Sequence, residues 1–84
     1  MIEVKCTTKH FNQPFIINEY SFFKEVNIEQ AKLNFLELCE KYQIQVEEVY
    51  KGLDNFNKFH KCELHKQCND TFVILTIHKE LVNN

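Results

Sequence analysis

Residues 27–52, NIEQAKLNFLELCEKYQIQVEEVYKG, carry the longest helical pattern in the chain, and neither Gly nor Pro interrupts it before Gly52. Asn27 is a favoured N-cap residue, and Gln30 three positions later matches the pattern of a capping box. Gly52 has the position of a C-terminal stop. The pattern therefore predicts one long helix over 28–51, with a possible kink near 43–45. Its apolar residues share one arc of a helical wheel: Ile28, Ala31, Phe35, Leu38, Cys39, Tyr42, Val46, Val49, Tyr50 and Leu53.

A second interpretation of the same segment ends the helix at about Tyr42. Ile44 lies outside the apolar arc, as do Leu33 and Leu36. The segment 44–51 is also rich in β-branched residues, which favour strands. These residues would then form an additional strand and give the order β-β-α-β-β-β. The sequence leaves both interpretations open.

Strand patterns flank this segment on both sides. Residues 2–10 alternate between apolar and polar side chains, and 15–23 are rich in aromatic and β-branched residues, with Pro14 closing the turn between them. Residues 57–66 and 71–80 form a second predicted hairpin.

Asn69 and Asp70 supply the turn of this second hairpin. With that turn, Leu64 pairs with Leu75 and Cys62 pairs with Ile77, so the apolar residues share one face. The predicted order is β-β-α-β-β. We expect a single domain over 1–84, an α+β two-layer sandwich with one long helix on one face of a four-stranded antiparallel sheet.

Composition excludes several classes of function. The 84 residues contain ten Lys, no Arg and twelve acidic residues, a net charge of −2. This balance gives no attraction to nucleic acid or to anionic membranes. A single Gly excludes a Gly-rich phosphate loop. The sequence shows neither a secretory signal nor an apolar segment long enough to span a membrane, so we expect a cytoplasmic protein whose four cysteines are reduced.

The cysteine and histidine residues near the second hairpin resemble zinc ligands in type. The candidates are His60, Cys62, His65 and Cys68. Structural zinc sites usually separate two ligand pairs by a dozen or more residues. Alternation along a strand also places Cys62 and His65 on opposite faces. We therefore expect no metal and no cofactor, and a small zinc-stabilised domain is only an alternative.

The sequence contains no convincing pattern of catalytic residues. The only Ser, Ser21, has no flanking glycines that would form a nucleophile elbow. Cys6 and Cys39 lie at positions predicted to be buried, and buried thiols are unreactive. Glu47 and Glu48 are adjacent on the predicted helix and so point in different directions. The sequence predicts a protein that is not an enzyme.

A basic segment with interleaved aromatic residues supports a second alternative. Lys58, Lys61 and Lys66 lie among Phe and His residues, and such segments can hold single-stranded nucleic acid by stacking and charge. The absence of Arg and the acidic net charge weaken this hypothesis, because Arg makes the bidentate contacts to phosphate and bases.

The outer face of the predicted sheet is the strongest candidate for a functional surface. A single helix covers one face only, yet the chain contains eleven aromatic residues. Six large apolar residues are predicted to face away from the helix: Phe15, Ile17, Phe23, Phe59, Phe72 and Ile74. Large exposed apolar patches mark interaction sites. We therefore expect a small regulator or inhibitor, of a type found in phages and mobile elements. It would occlude the surface of another protein or form a homodimer.

Overall fold

The computed structural model describes residues 1–10, 18–25 and 27–80, and it confirms the α+β class. The strands form one antiparallel sheet in the order β2-β1-β4-β3, so that β1 and β4, from opposite ends of the chain, form its centre. Two helices cover one face of this sheet. The elements are β1 (Ile2–His10), β2 (Asn18–Glu25), α1 (Ile28–Lys41), α2 (Val46–Phe59), β3 (Lys61–Cys68) and β4 (Thr71–Lys79).

The second hairpin follows the predicted register. Leu64 pairs with Leu75 and Cys62 with Ile77, which confirms the turn at Asn69. Asn69 has φ 53°, a left-handed conformation that Asn tolerates better than most residues. However, β3 begins at Lys61 instead of residue 57, because the preceding residues belong to α2.

Alternation along the strands builds the core. Alternate residues of β1 and β4 are buried beneath the helices, from Ile2 to Thr8 and from Val73 to Ile77. Each large apolar side chain buried in this way contributes on the order of 1.5–3 kcal/mol. The largest fully buried side chains are Phe35, Phe56, Leu75, Ile77, Val4 and Val73. Within the described residues, no helix is long and apolar enough to cross a membrane.

Asn27 caps α1 as predicted. Its side-chain Oδ1 accepts hydrogen bonds from the backbone N–H groups of Glu29, at 2.8 Å, and Gln30, at 3.3 Å. The Gln30 side chain does not reach back to complete a capping box. Its Nε2 instead donates to Asn34 Oδ1 at 3.1 Å, one turn further along the helix.

The prediction of a single helix over 28–51 is wrong, because α1 ends at Lys41 and a second helix begins at Val46. Residues 44–51 do not form a strand either, so the alternative is also wrong. Gln43 adopts a left-handed φ of 56°. The N–H of Gln43 donates to Glu40 O, and the N–H of Ile44 donates to Cys39 O at 2.9 Å. These are the two hydrogen bonds of a Schellman motif, and they turn Ile44 into the core.

Gly52 was predicted to end a helix but lies in the middle of α2, where the helix crosses β3. A Cβ atom at this position would lie 2.5 Å from Cys62 Sγ and 3.2 Å from Leu64 Cδ2. Gly52 therefore permits a close approach between helix and strand. The helix ends instead at Phe59, and His60 caps it with a left-handed φ of 62° and an N–H that donates to Phe56 O at 2.8 Å.

Replacing Gly52 by Ala is expected to destabilise the protein. Overpacking against Cys62 costs about 1–3 kcal/mol, against the ~1 kcal/mol by which Ala favours a helix over Gly. Urea unfolding measures the difference. In a Cys62→Ala background the sulfur is absent, so Gly52→Ala should become neutral or stabilising. An equal loss in both backgrounds would show that the sulfur contact does not explain this glycine.

Replacing Gln43 by Gly is expected to stabilise the protein by about 1 kcal/mol, because Gly adopts a left-handed φ without the Cβ clash that other residues suffer. Thermal and denaturant unfolding both report this gain. Gln43→Ala is the matched control, since it also removes the side chain but keeps the Cβ, and it should give no such gain. Equal effects of Ala and Gly would contradict the explanation.

Candidate functional site

Only two of the six residues predicted to form an apolar patch on the outer face of the sheet are found there within the described part of the chain. Phe72 and Ile74 lie on β4 at positions that face away from the helices, and both are half-buried. The Phe72 ring meets the His65 ring edge-on, with 5.4 Å between centroids. These residues alternate with polar neighbours, since Lys9 pairs with Phe72 and Thr7 pairs with Ile74.

The other predicted members of this patch lie elsewhere. Phe59 is the last residue of α2 and is 72% exposed on the helical layer. Phe23 pairs with the buried Val4, so position 23 belongs to the helix side of the sheet. This differs from the prediction because a register shift of one residue exchanges the two faces of a strand. Phe15 and Ile17 lie outside the described residues.

The three lysines of the nucleic-acid hypothesis lie on different parts of the surface. Lys58 is on α2, where its Nζ is 3.1 Å from an Asp54 carboxylate oxygen. Lys61 is exposed at the start of β3, on the outer side of the sheet. Lys66 lies on the helix side of β3, and its Nζ donates to the Gln43 carbonyl oxygen at 3.4 Å. They form no common basic surface.

The histidine and cysteine candidates also separate. Cys62 is buried beneath α2, whereas His65 lies on the opposite face of β3, 3.4 Å from Glu63 Oε1. His60 caps the C-terminal end of α2, and Cys68 closes β3 at the hairpin turn. Within residues 1–10, 18–25 and 27–80, no three side chains of metal-binding type gather at one point.

An apolar groove lies between α1 and α2, with a volume of about 450 Å³. Buried side chains of Cys39, Ile44 and Val49 form its floor. The side chains of Val46, 64% exposed, and Tyr50, 69% exposed, rise at its α2 wall. The complete lining is Leu36, Cys39, Glu40, Gln43, Ile44, Val46, Val49, Tyr50 and Leu53.

The groove could not be predicted from the sequence pattern, because it depends on the break between the two helices. On a single straight helix, no second wall exists opposite Leu36. The available signal was the set of apolar residues outside the helical arc, Leu33, Leu36 and Ile44. Ile44 enters the core at the break, and the other two remain exposed on α1.

Burial raises the pKa values of the thiols near the groove. Burial raises the pKa of Cys39 to about 12, and the neighbouring Cys62 adds to this shift. Burial likewise raises the pKa of Cys62 to about 11, with a smaller effect from Glu63. Because the thiolate is the nucleophile, these pKa values oppose a catalytic role for either cysteine. Both act as small apolar side chains.

Comparisons with family models, with curated proteins and with solved structures found no match to this chain. Inferences about function therefore depend on the surfaces of this chain itself. Among these, the groove between α1 and α2 combines apolar walls, a buried floor and a single charged side chain, Glu40.

Thiol reactivity is expected to distinguish the cysteines. At pH 8, Ellman's reagent should react fast with Cys68, whose side chain is partly exposed, and slowly with the buried Cys6, Cys39 and Cys62. Cys68→Ser should remove the fast phase, and unfolding should expose all remaining thiols. A fast phase that survives in Cys68→Ser and disappears with Cys39→Ala would contradict the burial of the groove floor.

The same burial predicts a dependence of stability on pH. The folded pKa values of Cys39 and Cys62 lie above the ordinary value of 9.0. Their neutral forms therefore stabilise the fold fully below pH 9, and this contribution is lost as pH rises through 11 and 12. Comparing unfolding between pH 9 and 11 with that of the Cys39→Ala variant measures this loss, and an unchanged slope in the variant would contradict it.

Proposed function

We propose that this chain is a non-enzymatic protein-binding module that regulates or inhibits a partner by covering part of its surface. The groove between α1 and α2 would receive the partner. This hypothesis keeps the class of function expected from the sequence but moves the binding surface from the sheet to the helices.

The distribution of exposed apolar side chains carries the proposal. Among the residues whose exposure is described, which are 1–10, 24 and 27–80, every exposed large apolar side chain apart from Met1 belongs to the helical layer. Proteins that expose a contiguous apolar patch usually use it for association. The exposed residues are Ile28, Leu33, Leu36, Val46, Tyr50 and Phe59, and three of them, Leu36, Val46 and Tyr50, line the groove together.

Groove composition supports a protein partner in particular. An aromatic residue beside aliphatic side chains is typical of the central part of protein interfaces, and Tyr50 occupies such a position beside Val46 and Leu53. The nucleic-acid alternative has less support, because Lys58, Lys61 and Lys66 do not share a surface.

Site-specific photo-crosslinking tests the proposal. A photoreactive amino acid at position 50 should yield a defined crosslinked protein in cells that produce this chain. The same group at Asn55, exposed on α2 but outside the groove lining, is the matched control and should yield none. Equal crosslinking from both positions would argue against the groove.

Direct binding to the purified crosslinked partner completes the test. Tyr50→Asp and Leu36→Asp should each weaken binding at least about tenfold, because each places a carboxylate in an apolar contact. Asn55→Asp should leave binding unchanged, and circular dichroism should show that all three variants are folded. Binding that persists in both groove variants would refute the proposal.

A further inference from the structure

We infer that the segment received by the groove is an amphipathic α-helix of the partner protein, with Lys or Arg beside its apolar stripe. This inference rests on the proposed function and specifies the chemistry of the partner. An extended peptide and a second copy of this chain are the competing occupants, and the peptide and concentration titrations distinguish them.

Backbone hydrogen bonding favours a helical occupant. The groove walls are α1 and α2, whose backbone N–H and C=O groups are paired within each helix, except where α1 ends and α2 begins without a side-chain cap at Gln45. Along the rest of the walls an extended peptide would find no ladder partners and would bury unpaired backbone groups against Leu36 and Leu53. A helix pairs its own backbone and offers side chains alone, which is the helix-in-groove mode of recognition.

Groove geometry fits the same conclusion. Leu36 and Glu40 are four residues apart on α1, and Val46, Tyr50 and Leu53 follow at helical spacing on α2. Such rows form ridges with a groove between them, and the ridge of a third helix packs into grooves of this kind. Apolar residues at positions i, i+3, i+4 and i+7 of the partner would supply that ridge.

The charge of the groove determines which side chains should flank the apolar stripe of the partner helix. Glu40 is the one charged side chain in the groove lining, and none of the ion pairs found among the described residues involves it. It lies in the last turn of α1, and because the negative end of the α1 dipole and the positive end of the α2 dipole meet here, the charged side chains determine the local charge. Glu47, next to Val46 in the first turn of α2, adds a further carboxylate near this end. Lys or Arg is the complementary partner.

Three synthetic peptides of 18 residues provide the probes. The first has Leu at helical spacing with Lys on both flanks. The second replaces Lys by Glu, and the third reorders the first so that Leu alternates as in a strand. In amide NMR titrations, the Lys helix should shift the groove signals of Leu36, Ile44 and Tyr50. It should bind about fivefold to tenfold more tightly than the Glu helix.

Charge reversal in the protein provides the matched comparison. Glu40→Lys should reverse the preference, so that the Glu helix binds more tightly than the Lys helix. Glu37→Lys is the control, because Glu37 is exposed on the same helix but outside the lining, and it should preserve the preference. Equal binding of the Lys and Glu helices to the native protein would overturn the inference.

The remaining outcomes separate this inference from the proposed function. Equal or tighter binding of the alternating peptide in the groove would overturn the helical occupant, as would groove signals that shift with protein concentration alone. So would a crosslink from position 50 to a non-helical segment. In each case the groove would still bind protein. Failure of all three peptides to shift groove signals, together with no crosslink from position 50, would overturn both.

Discussion

The turn at residues 42–45 is the constraint on which the helical layer depends. Ile44 can be buried only if the chain leaves the first helix immediately before it, and the left-handed Gln43 makes this possible. The two hydrogen bonds of the Schellman motif satisfy carbonyl groups that the helix end would otherwise leave unpaired. Lys66 then ties the Gln43 carbonyl oxygen to β3. Because the same turn buries Ile44 and connects the helices, the burial of Ile44 is coupled to the positions of both α1 and α2.

The groove exists because the two helices separated by this turn pack against different strands. The first helix packs over β1, β2 and β4, whereas the second packs over β3. The close approach of α2 to β3 requires the absence of a side chain at Gly52, where Cys62 lies beneath the helix. With each helix held to different strands, the space between them is lined by apolar side chains. Cys39 and Cys62 contribute to the core as packing groups, which agrees with their raised pKa values.

Sequence patterns predicted the parts of the fold that depend on neighbouring residues. The cap at Asn27, the extent of β1, the turn at Asn69 and the register of the second hairpin all depend on local chemistry or on strict alternation. The extent of β2 was less predictable. Its pairing places Phe23 opposite Val4, and a shift of one residue along a strand changes the face of every side chain without changing its local pattern.

The sequence by itself determined an α+β domain with two hairpins around a helical segment, because hydrophobic period and turn residues are properties of short segments. Only the tertiary structure decided that this segment forms two helices, since the gain from burying Ile44 arises from residues far away in the chain. It also decided the role of Gly52, which the sequence alone could not separate from a helix stop. The candidate binding surface belongs to this second category. Its walls come from two helices whose separation depends on where each packs against the sheet.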